Sequence, residues 1–241
     1  LPKPGSTERR GLGIPTMRDR AMQALVALAL EPQWEAQFEP NVYGFRPGRC
    51  AQDAIEAIFN HIRFKTKYAL DADIEKCFDR IEHAALLKKL HTSQPVRRLI
   101  SDWLKAGILE DGKWLFPEAG TPQGGVISPL LANIALPGLE TAVNSVSKQH
   151  RVAVIRYADD LVLLCGDLPT LEVARTRLEA WLADVGLRLK TSKTHITHTL
   201  EEYQGQVGFD FLGFRVRQYR VGKYHTYSYR GIPGMKTLVK P

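Results

Sequence analysis

Residues 151–165 read RVAVIRYADDLVLLC, and this segment sets the architecture expected of the chain. Apolar runs at 152–155 and 161–165 flank the tetrapeptide YADD at 157–160, a spacing typical of two antiparallel strands joined by a tight turn. The hairpin would carry two adjacent carboxylates at an apolar tip. Because like charges at such spacing repel, each carboxylate disfavours ionisation of the other unless a cation lies nearby. Asp-Asp also occurs in ordinary turns, so the tetrapeptide alone leaves both interpretations open.

A second acidic strand is predicted at YALDADI, residues 68–74. Its residues alternate, with apolar side chains on one face and Asp71 and Asp73 on the other. If this strand lies beside the hairpin, Asp73 joins Asp159 and Asp160 in one carboxylate cluster. Such a cluster suits Mg²⁺, which takes one or two protein carboxylates and fills its other positions with water and phosphate. Two such ions about 3.5–4 Å apart are the arrangement used for in-line phosphoryl transfer.

Helical periodicity dominates the remaining sequence, which predicts an α+β fold with helices packed on a mainly antiparallel sheet. Pro137 is expected to kink or end the fourth of the predicted helices. A further strand is predicted at FDFLGFRVR, residues 209–217, with Leu212, Phe214 and Val216 on one face. The predicted helices are one opened by Asp19 and ended by Pro32, one at residues 51–62, one at 95–106, one capped by Ser128 with Pro129 at its first position, and one capped by Thr170 and closed by Gly186.

Composition permits a nucleic-acid partner. The 241 residues are 44% hydrophobic and carry a net charge of +7, and the positive excess is concentrated in residues 205–241. A basic balance favours polyanionic partners without proving one. Three widely spaced cysteines with no CxxC pair indicate a reducing compartment.

The sequence contains no run of about 18 apolar residues and no signal peptide at its start. A cytoplasmic protein without membrane partners is therefore expected, or an organellar one if the source is a eukaryote. The absence of Met at position 1 indicates a piece of a longer protein.

Seven segments together resemble the ordered motifs of group II intron reverse transcriptases, and the resemblance covers essentially the whole chain. QGGVISPLLANI is its most specific element. One proline departs from the pattern, since Pro137 stands where the family more often has a helix-compatible residue. The segments are LGIPTMRDR at 12–20, YGFRPGR at 43–49, DIEKCFD at 73–79, TPQGGVISPLLANI at 121–134, YADD at 157–160, GLRLKTSKT at 186–194 and FLGF at 211–214.

The resemblance implies the fingers and palm of a right-hand polymerase. It also implies RNA-directed DNA polymerase activity with two Mg²⁺ ions, for which Mn²⁺ is a substitute. Its partners would be an RNA template, a DNA primer, dNTPs and, through a maturase role, group II intron RNA. The chain ends about where the helical thumb would begin. The implied division is fingers at 1–67, palm at 68–90, fingers and connecting helices at 91–118, palm at 119–204, and the primer grip with the start of the thumb at 205–241.

The same resemblance assigns metal ligands. Asp73 and Asp159 would ligate both ions, with Asp160 beside them and the Ile74 carbonyl assisting. Asp160 could equally orient the other acids without binding metal. Asp71 is not required by the motif and is interpreted as a solvated or structural acid.

Substrate contacts are implied elsewhere, each with a plainer alternative. Phe78 would crowd the sugar 2′ position, or simply pack in a core. Arg46 and Arg49 would bind the triphosphate, since guanidinium groups suit phosphate oxygens, or be solvated loop residues. Gln123 and Gly124 would approach the nucleotide and template, although PQGG alone is any turn.

Two further assignments complete the implied site. Lys193 would protonate the pyrophosphate leaving group, or be a solvated lysine. Leu212, Gly213 and Phe214 would form the primer grip, or a core strand. His195 and His198 lack a second ligand pair, so surface positions are expected rather than a zinc site.

Alternative functions remain. The chain could be an RNA-binding maturase component without polymerase activity of its own. It could also be a retron, diversity-generating or CRISPR-associated polymerase. A basic protein with a fortuitous Asp-Asp turn is the remaining option.

Overall fold

Buried apolar faces and sheet hydrogen bonds organise the chain into two units. A computed structural model describes residues 13–110, 113–116, 118–122, 124–145, 151–220 and 235–240. The chain passes repeatedly between the units. The first unit combines Leu1–Phe38, Lys76–Pro137 and Asp184–Leu187, and the second combines Glu39–Glu75, Gly138–Ala183 and Arg188–Pro241.

The first unit is mainly helical. Its elements are α1 (Met17–Glu35), α3 (Cys77–Arg80), α4 (His83–Lys89), α5 (Gln94–Lys105), α6 (Ser128–Ala135) and a hairpin of β2 (Ile108–Glu110) and β3 (Lys113–Leu115). Helices α1 and α4 both pack on α6, and α4 also packs on α5. The apolar faces of these helices supply the buried residues Leu30, Leu86, Ile100 and Leu131.

The second unit is built on two antiparallel sheets. The unit contains α2 (Ala51–Ile62), β1 (Tyr68–Asp73), α7 (Leu139–Asn144), β4 (Ala153–Tyr157), β5 (Asp160–Cys165), α8 (Leu168–Ala183), β6 (His195–His198), β7 (Phe209–Phe211), β8 (Phe214–Arg220) and β9 (Met235–Lys240). One sheet has the order β4-β5-β1-β6 and the other the order β7-β8-β9. A short 3-10 helix at Thr191–Lys193 precedes β6. The predicted α+β class with an antiparallel sheet is confirmed.

The two faces of the four-stranded sheet bury different helices. One face packs with α2, β7 and β8 around Ala69, Val162 and Ile155. Strand alternation turns Leu70 and Leu163 to the other face, and α8 contacts β1 and β5. The buried side chains of α8 do not belong to the core cluster that α2 forms with the first face. Helix α8 therefore covers this second face. The central strand β5 is thus buried on both sides from Leu161 to Cys165.

Three predicted helix starts are wrong. Helix α1 begins at Met17 rather than Asp19, because the Thr16 hydroxyl accepts the Asp19 N–H at 3.2 Å. Ser128 is the first residue of α6 rather than the residue before it, and its hydroxyl donates 2.7 Å to the Pro122 carbonyl. Thr170 also lies inside its helix, because the Asp167 carboxylate accepts the Thr170 backbone N–H at 2.9 Å and so caps α8.

Helix ends were predicted with mixed success. Pro32 does not end α1, which continues to Glu35 because Trp34 is buried in the core. Helix α6 does end before Pro137, as expected. FDFLGFRVR is two strands rather than one, because Leu212 and Gly213 form a turn between β7 and β8. None of the helices in the described ranges is both long enough and apolar enough to span a membrane.

Candidate active site

The acids predicted from the sequence meet at one end of the four-stranded sheet in the second unit. Asp73 is the last residue of β1 and Asp160 the first of β5, and the two are direct partners in the antiparallel register. Directly opposed residues project from the same face with Cβ atoms about 4.5–5.5 Å apart. Asp159 precedes Asp160 in the turn between β4 and β5. The structure therefore gathers residues from distant parts of the chain into one acidic patch.

Backbone hydrogen bonds fix the positions of these acids. The Ile74 N–H donates 2.9 Å to the Asp159 carbonyl, and the Lys190 N–H donates 2.8 Å to the Asp73 carbonyl. Ile74 is fully buried and forms an isolated bridge with Leu189. The turn, the end of β1 and the segment before the 3-10 helix are thus tied together at the acidic patch.

The carboxylates destabilise one another in their charged forms. Burial, followed by the neighbouring charges of Asp159 and Asp73, raises the pKa of Asp160 to about 6. Asp71, two residues before Asp73 on the same strand face, has a pKa raised to about 7, again mainly by burial. Of the two alternatives for Asp71, a solvated or a structural acid, its burial favours the structural one. Such a patch attracts cations.

Lys193 supplies one cation at this patch. Its Nζ donates 2.6 Å to Asp73 Oδ2. That hydrogen bond raises the pKa of Lys193, so the side chain stays protonated. Lys193 is thus paired with a predicted metal ligand, while its side chain stays 56% exposed to solvent.

The donor set has the chemistry of a magnesium site. Its ligands are hard carboxylate oxygens, and Mg²⁺ needs only one or two of these when phosphate and water complete its octahedron. Within the described ranges, no three His, Cys, Asp or Glu side chains are already arranged as a metal site. Asp73 and Asp160 supply two opposed carboxylates, so the residues present fit a Mg²⁺ ion whose other positions are filled by water or phosphate.

Arg46 and Arg49 lie in the same unit, on a turn before α2. The Arg49 N–H donates 3.3 Å to the Arg46 carbonyl, and Gly48 has a φ of 67°, as in a type II turn with proline and glycine at its centre. Arg46 Nη1 donates to the carbonyls of Glu39 (3.2 Å) and Val42 (2.8 Å), so it organises its own loop. Arg49 is exposed, with its guanidinium 5.4 Å from the centre of the Tyr43 ring. Arg49 is therefore the more available of the two for a phosphate.

Phe78 and Gly124 belong to the first unit. The Thr121 N–H donates to the Phe78 carbonyl, and the Gly120 N–H donates 2.8 Å to the carbonyl of Ile81. These bonds join the short helix α3 to the turn that leads to α6. Phe78 is half-buried, and Gly124 is exposed with a φ of 102°. Gln123 lies outside the described residues.

The predicted primer-grip residues form the β7–β8 turn of the second unit. Phe211 and Phe214 are partners, and Leu212 and Gly213 have positive φ angles of 51° and 81°. Two positive values are typical of a type I′ hairpin turn. Leu212 and Phe214 also pack at the edge of the core, so core packing and a primer contact are compatible.

Only one of the two histidines on β6 is at the surface. His195 is exposed, as expected. His198 is only 8% exposed, so its predicted surface position is wrong. Its ring lies 4.7 Å from that of Tyr68, and its Nδ1 accepts the Glu201 N–H at 2.9 Å. His198 is thus a satisfied core histidine.

Two residues next to the acidic patch were missed by sequence reasoning. Arg156 is buried in β4, and Gly44 packs against the turn that carries Asp159. A signal for Arg156 was present, because a charged residue within the apolar run VAVIRY must find a specific partner. Gly44 offered no comparable signal, since YGFRPGR already read as a turn.

Comparison with known proteins identifies the fold and family. The family model described as reverse transcriptase (RNA-dependent DNA polymerase) matches residues 1–216. The chain belongs to this reverse transcriptase family. The family predicted from the motifs is therefore confirmed, and the acidic patch lies within the matched residues.

Relatives of this reverse transcriptase include two bacterial proteins, one of which is named as encoded by a group II intron. It is 33% identical to Protein YkfC of Escherichia coli (strain K12), over 86% of this chain and 63% of that protein. It is 38% identical to the group II intron-encoded protein LtrA of Lactococcus lactis subsp. cremoris, over 59% of this chain and 24% of that protein. The chain thus spans about two thirds of one relative and about a quarter of the other.

Solved structures extend the likeness of fold. A telomerase of Candida tropicalis, in complex with a fragment of telomeric RNA, superposes with a TM-score of 0.60 at 12% identity. The match covers 84% of this chain and 36% of that one. At such identity the likeness concerns the fold, which is that of reverse transcriptase fingers and palm.

Proposed function

We propose that this chain is the catalytic core of a group II intron RNA-directed DNA polymerase, which extends a DNA primer on an RNA template. The observation that carries the proposal is the register of β1 and β5, which opposes Asp73 to Asp160 with Asp159 in the adjoining turn. Membership of the reverse transcriptase family supports it, as does the similarity to LtrA.

Asp73, Asp159 and Asp160 are the residues that would hold the metals. When bound, a pair of Mg²⁺ ions supplies an activated nucleophile and neutralises charge on the attacking and leaving oxygens. The carboxylates contribute position, because Asp73 and Asp160 lie on facing strands and the Asp159 carbonyl is fixed by Ile74 N–H. Preorganised groups of this kind need little rearrangement when the reaction occurs.

The chain's own cations act on the nucleotide. The primer 3′-hydroxyl gives its proton to solvent water and attacks the α-phosphorus, a new O–P bond forms, and the bond to pyrophosphate breaks. Arg49, exposed on its turn, binds triphosphate oxygens through guanidinium N–H donors. Lys193, kept protonated beside Asp73, donates a proton to the leaving pyrophosphate or offsets its charge.

Selection of the template is left to base pairing. The protein then needs to recognise backbone and shape rather than sequence, which its net charge of +7 favours. Phe78 selects against ribonucleotides by crowding the sugar 2′ position, and the turn around Gly124 approaches the nucleotide. The β7–β8 turn contacts the primer.

The test is primer extension on an RNA template with dNTPs and Mg²⁺. Asp159→Asn and Asp73→Asn should each reduce extension at least about a hundredfold, because they remove charge that holds metals worth several kcal/mol to the transition state. The matched control is Asp102→Asn, an exposed acid on α5, which should extend at the wild-type rate. Full activity of either active-site variant would refute the proposal.

An intron-splicing role is a second function of the same chain. It is favoured by the similarity to LtrA, a protein whose name marks it as encoded by a group II intron. The two roles separate in a splicing assay with intron RNA, in which Asp159→Asn should retain splicing assistance while losing extension. Equal loss of both activities would instead indicate that the variant had unfolded or lost RNA binding.

A further inference from the structure

The turn that carries Asp159 has a strained backbone. Tyr157 and Asp160 are strand partners, so only Ala158 and Asp159 form the loop of the hairpin. Ala158 has a φ of 57°, a left-handed conformation that glycine adopts freely and alanine does not. A conformation of this kind persists only where surrounding structure imposes it. The surroundings of Ala158 therefore determine where Asp159 points.

Arg156 holds this turn from inside the protein. Its side chain is 2% exposed, and its Nη1 donates 3.0 Å to the carbonyl of Ala158. That carbonyl belongs to the peptide bond that joins Ala158 to Asp159. A hydrogen bond from a charged donor is stronger than a neutral one, particularly where water is excluded.

Gly44 holds the same turn by close packing. A Cβ atom at position 44 would lie 2.3 Å from the Ala158 nitrogen and 3.0 Å from the Tyr157 carbonyl carbon. Both are backbone atoms, which cannot move aside as the end of a flexible side chain can. Any side chain at position 44 must therefore push the turn away from its place.

The loop that carries Gly44 is itself fixed to β4 through Arg156. The Arg156 N–H donates to the Asn41 carbonyl and the Tyr43 N–H donates to the Arg156 carbonyl, both at 2.9 Å. Arg156 thus uses its backbone to fix the loop and its guanidinium to fix the turn. Together with the bond from Ile74 N–H to the Asp159 carbonyl, the peptide groups on both sides of the Asp159 Cα are held.

We infer that Arg156 and Gly44 are positioning residues, which set the Asp159 carboxylate for metal binding without touching metal or substrate. This inference rests on the proposed function, because it assigns Asp159 to the metals. Outer contacts of this kind change metal affinity or activity about 10–100-fold.

The test is Arg156→Met, which keeps an unbranched apolar stem and removes the donors. Binding of Mn²⁺ is measured by electron paramagnetic resonance titration without nucleotide or primer, beside the melting temperature and the affinity for a primer–template duplex. Affinity for Mn²⁺ and kcat for extension should each fall about tenfold or more, whereas primer–template affinity should not change. Arg156→Lys, which keeps one charged donor, should bind Mn²⁺ more tightly than Arg156→Met. Arg175→Met, on the exposed face of α8, is the matched control and should match the wild type.

Gly44→Ala tests the same turn without burying or removing a charge. It therefore tests the inference even if Arg156→Met does not fold. It should show the same paired loss of Mn²⁺ affinity and kcat. Its control is Gly166→Ala, where a Cβ atom meets nothing within 4 Å.

The outcomes separate this inference from the proposed function. Folded Arg156→Met or Gly44→Ala protein with wild-type Mn²⁺ affinity and kcat would overturn the inference and leave the polymerase intact. A wild-type chain that neither binds Mn²⁺ nor extends a primer would overturn both.

Discussion

The two hairpin tips of the second unit have the same length but are held in different ways. The YADD tip places one residue, Ala158, at positive φ, and the chain packs on it from several sides through Gly44, Arg156 and Ile74. The FLGF tip places Leu212 and Gly213 at positive φ, and a Cβ atom at Gly213 would meet nothing within 4 Å. Tertiary contacts therefore hold the first tip, whereas local turn chemistry holds the second.

This difference matches what each tip has to do. An acidic tip must hold mutually repelling carboxylates, which the local sequence opposes, so the fold has to enforce the geometry. The FLGF tip, for which we propose a primer contact, can take its shape from its own backbone preferences. The FLGF hairpin is instead anchored at its base, where Gln218 is buried next to Thr199 and the end of α2.

The largest expected stability effect comes from the burial of Asp71 beside other acids and depends on pH. The folded pKa of Asp71, about 7, lies above its unfolded value of 3.8, so the folded state binds the proton more tightly. The contribution of the Asp71 carboxyl to the free energy of unfolding is therefore most favourable below pH 4, where the carboxyl is neutral. This contribution is lost as the pH rises through about 7, where the folded protein gives up the proton. Asp71→Asn should therefore gain about 2–4 kcal/mol in free energy of unfolding over the wild type between pH 4 and pH 8.

The measurement is urea unfolding of both proteins across that pH range in the presence of EDTA. Comparing the two proteins at each pH removes the opposite effects of His61 and His198, whose pKa values are lowered by burial. Asp160→Asn should show the same trend with a smaller gain, since its pKa is about 6. If the free energy of unfolding changed with pH in the same way for the wild type and Asp71→Asn, folding would not raise the pKa of Asp71.

A second prediction concerns the base of the FLGF hairpin. Gln218 is 1% exposed, accepts the Thr199 hydroxyl at 2.6 Å and donates to the Ile62 carbonyl at 2.6 Å. Gln218→Leu leaves these groups buried without their partner, which should lower the free energy of unfolding by about 2–3 kcal/mol. Gln52→Leu, at an exposed position of α2, should change it by less than about 0.5 kcal/mol. Equal unfolding curves for the two variants would show that the hairpin is not anchored at Gln218.

The sequence predicted the elements whose signal is local. Alternating residues identified β1, apolar periodicity identified α2, and RPGR indicated the turn that Arg46 and Arg49 occupy. The motifs then indicated that Asp73 and the YADD acids belong together, and the strand register places Asp73 opposite Asp160. These inferences needed no knowledge of which segments pack together.

The errors came where a distant or neighbouring partner changed the local preference. Ser128 and Thr170 are good N-cap residues in isolation. In the structure the Pro122 carbonyl accepts the Ser128 hydroxyl, and Asp167 caps the helix in place of Thr170. His198 was predicted at the surface, but in the structure the Tyr68 ring packs against it. Gly44 could not be recognised as a contact of the YADD turn, because its importance depends on a backbone more than a hundred positions away.

The smallest expected effect is at the FLGF tip itself. Gly213 has a φ of 81°, so Gly213→Ala introduces backbone strain, yet the new methyl group meets no neighbour. The free energy of unfolding should fall by about 1 kcal/mol, measured by urea unfolding, while Mn²⁺ affinity stays at the wild-type value. Gly166→Ala, at an open position without positive φ, serves as the control and should not lose stability. If Gly213→Ala instead weakened Mn²⁺ binding as much as Gly44→Ala, the two tips would be coupled, and the distinction between a tertiary and a local restraint would not hold.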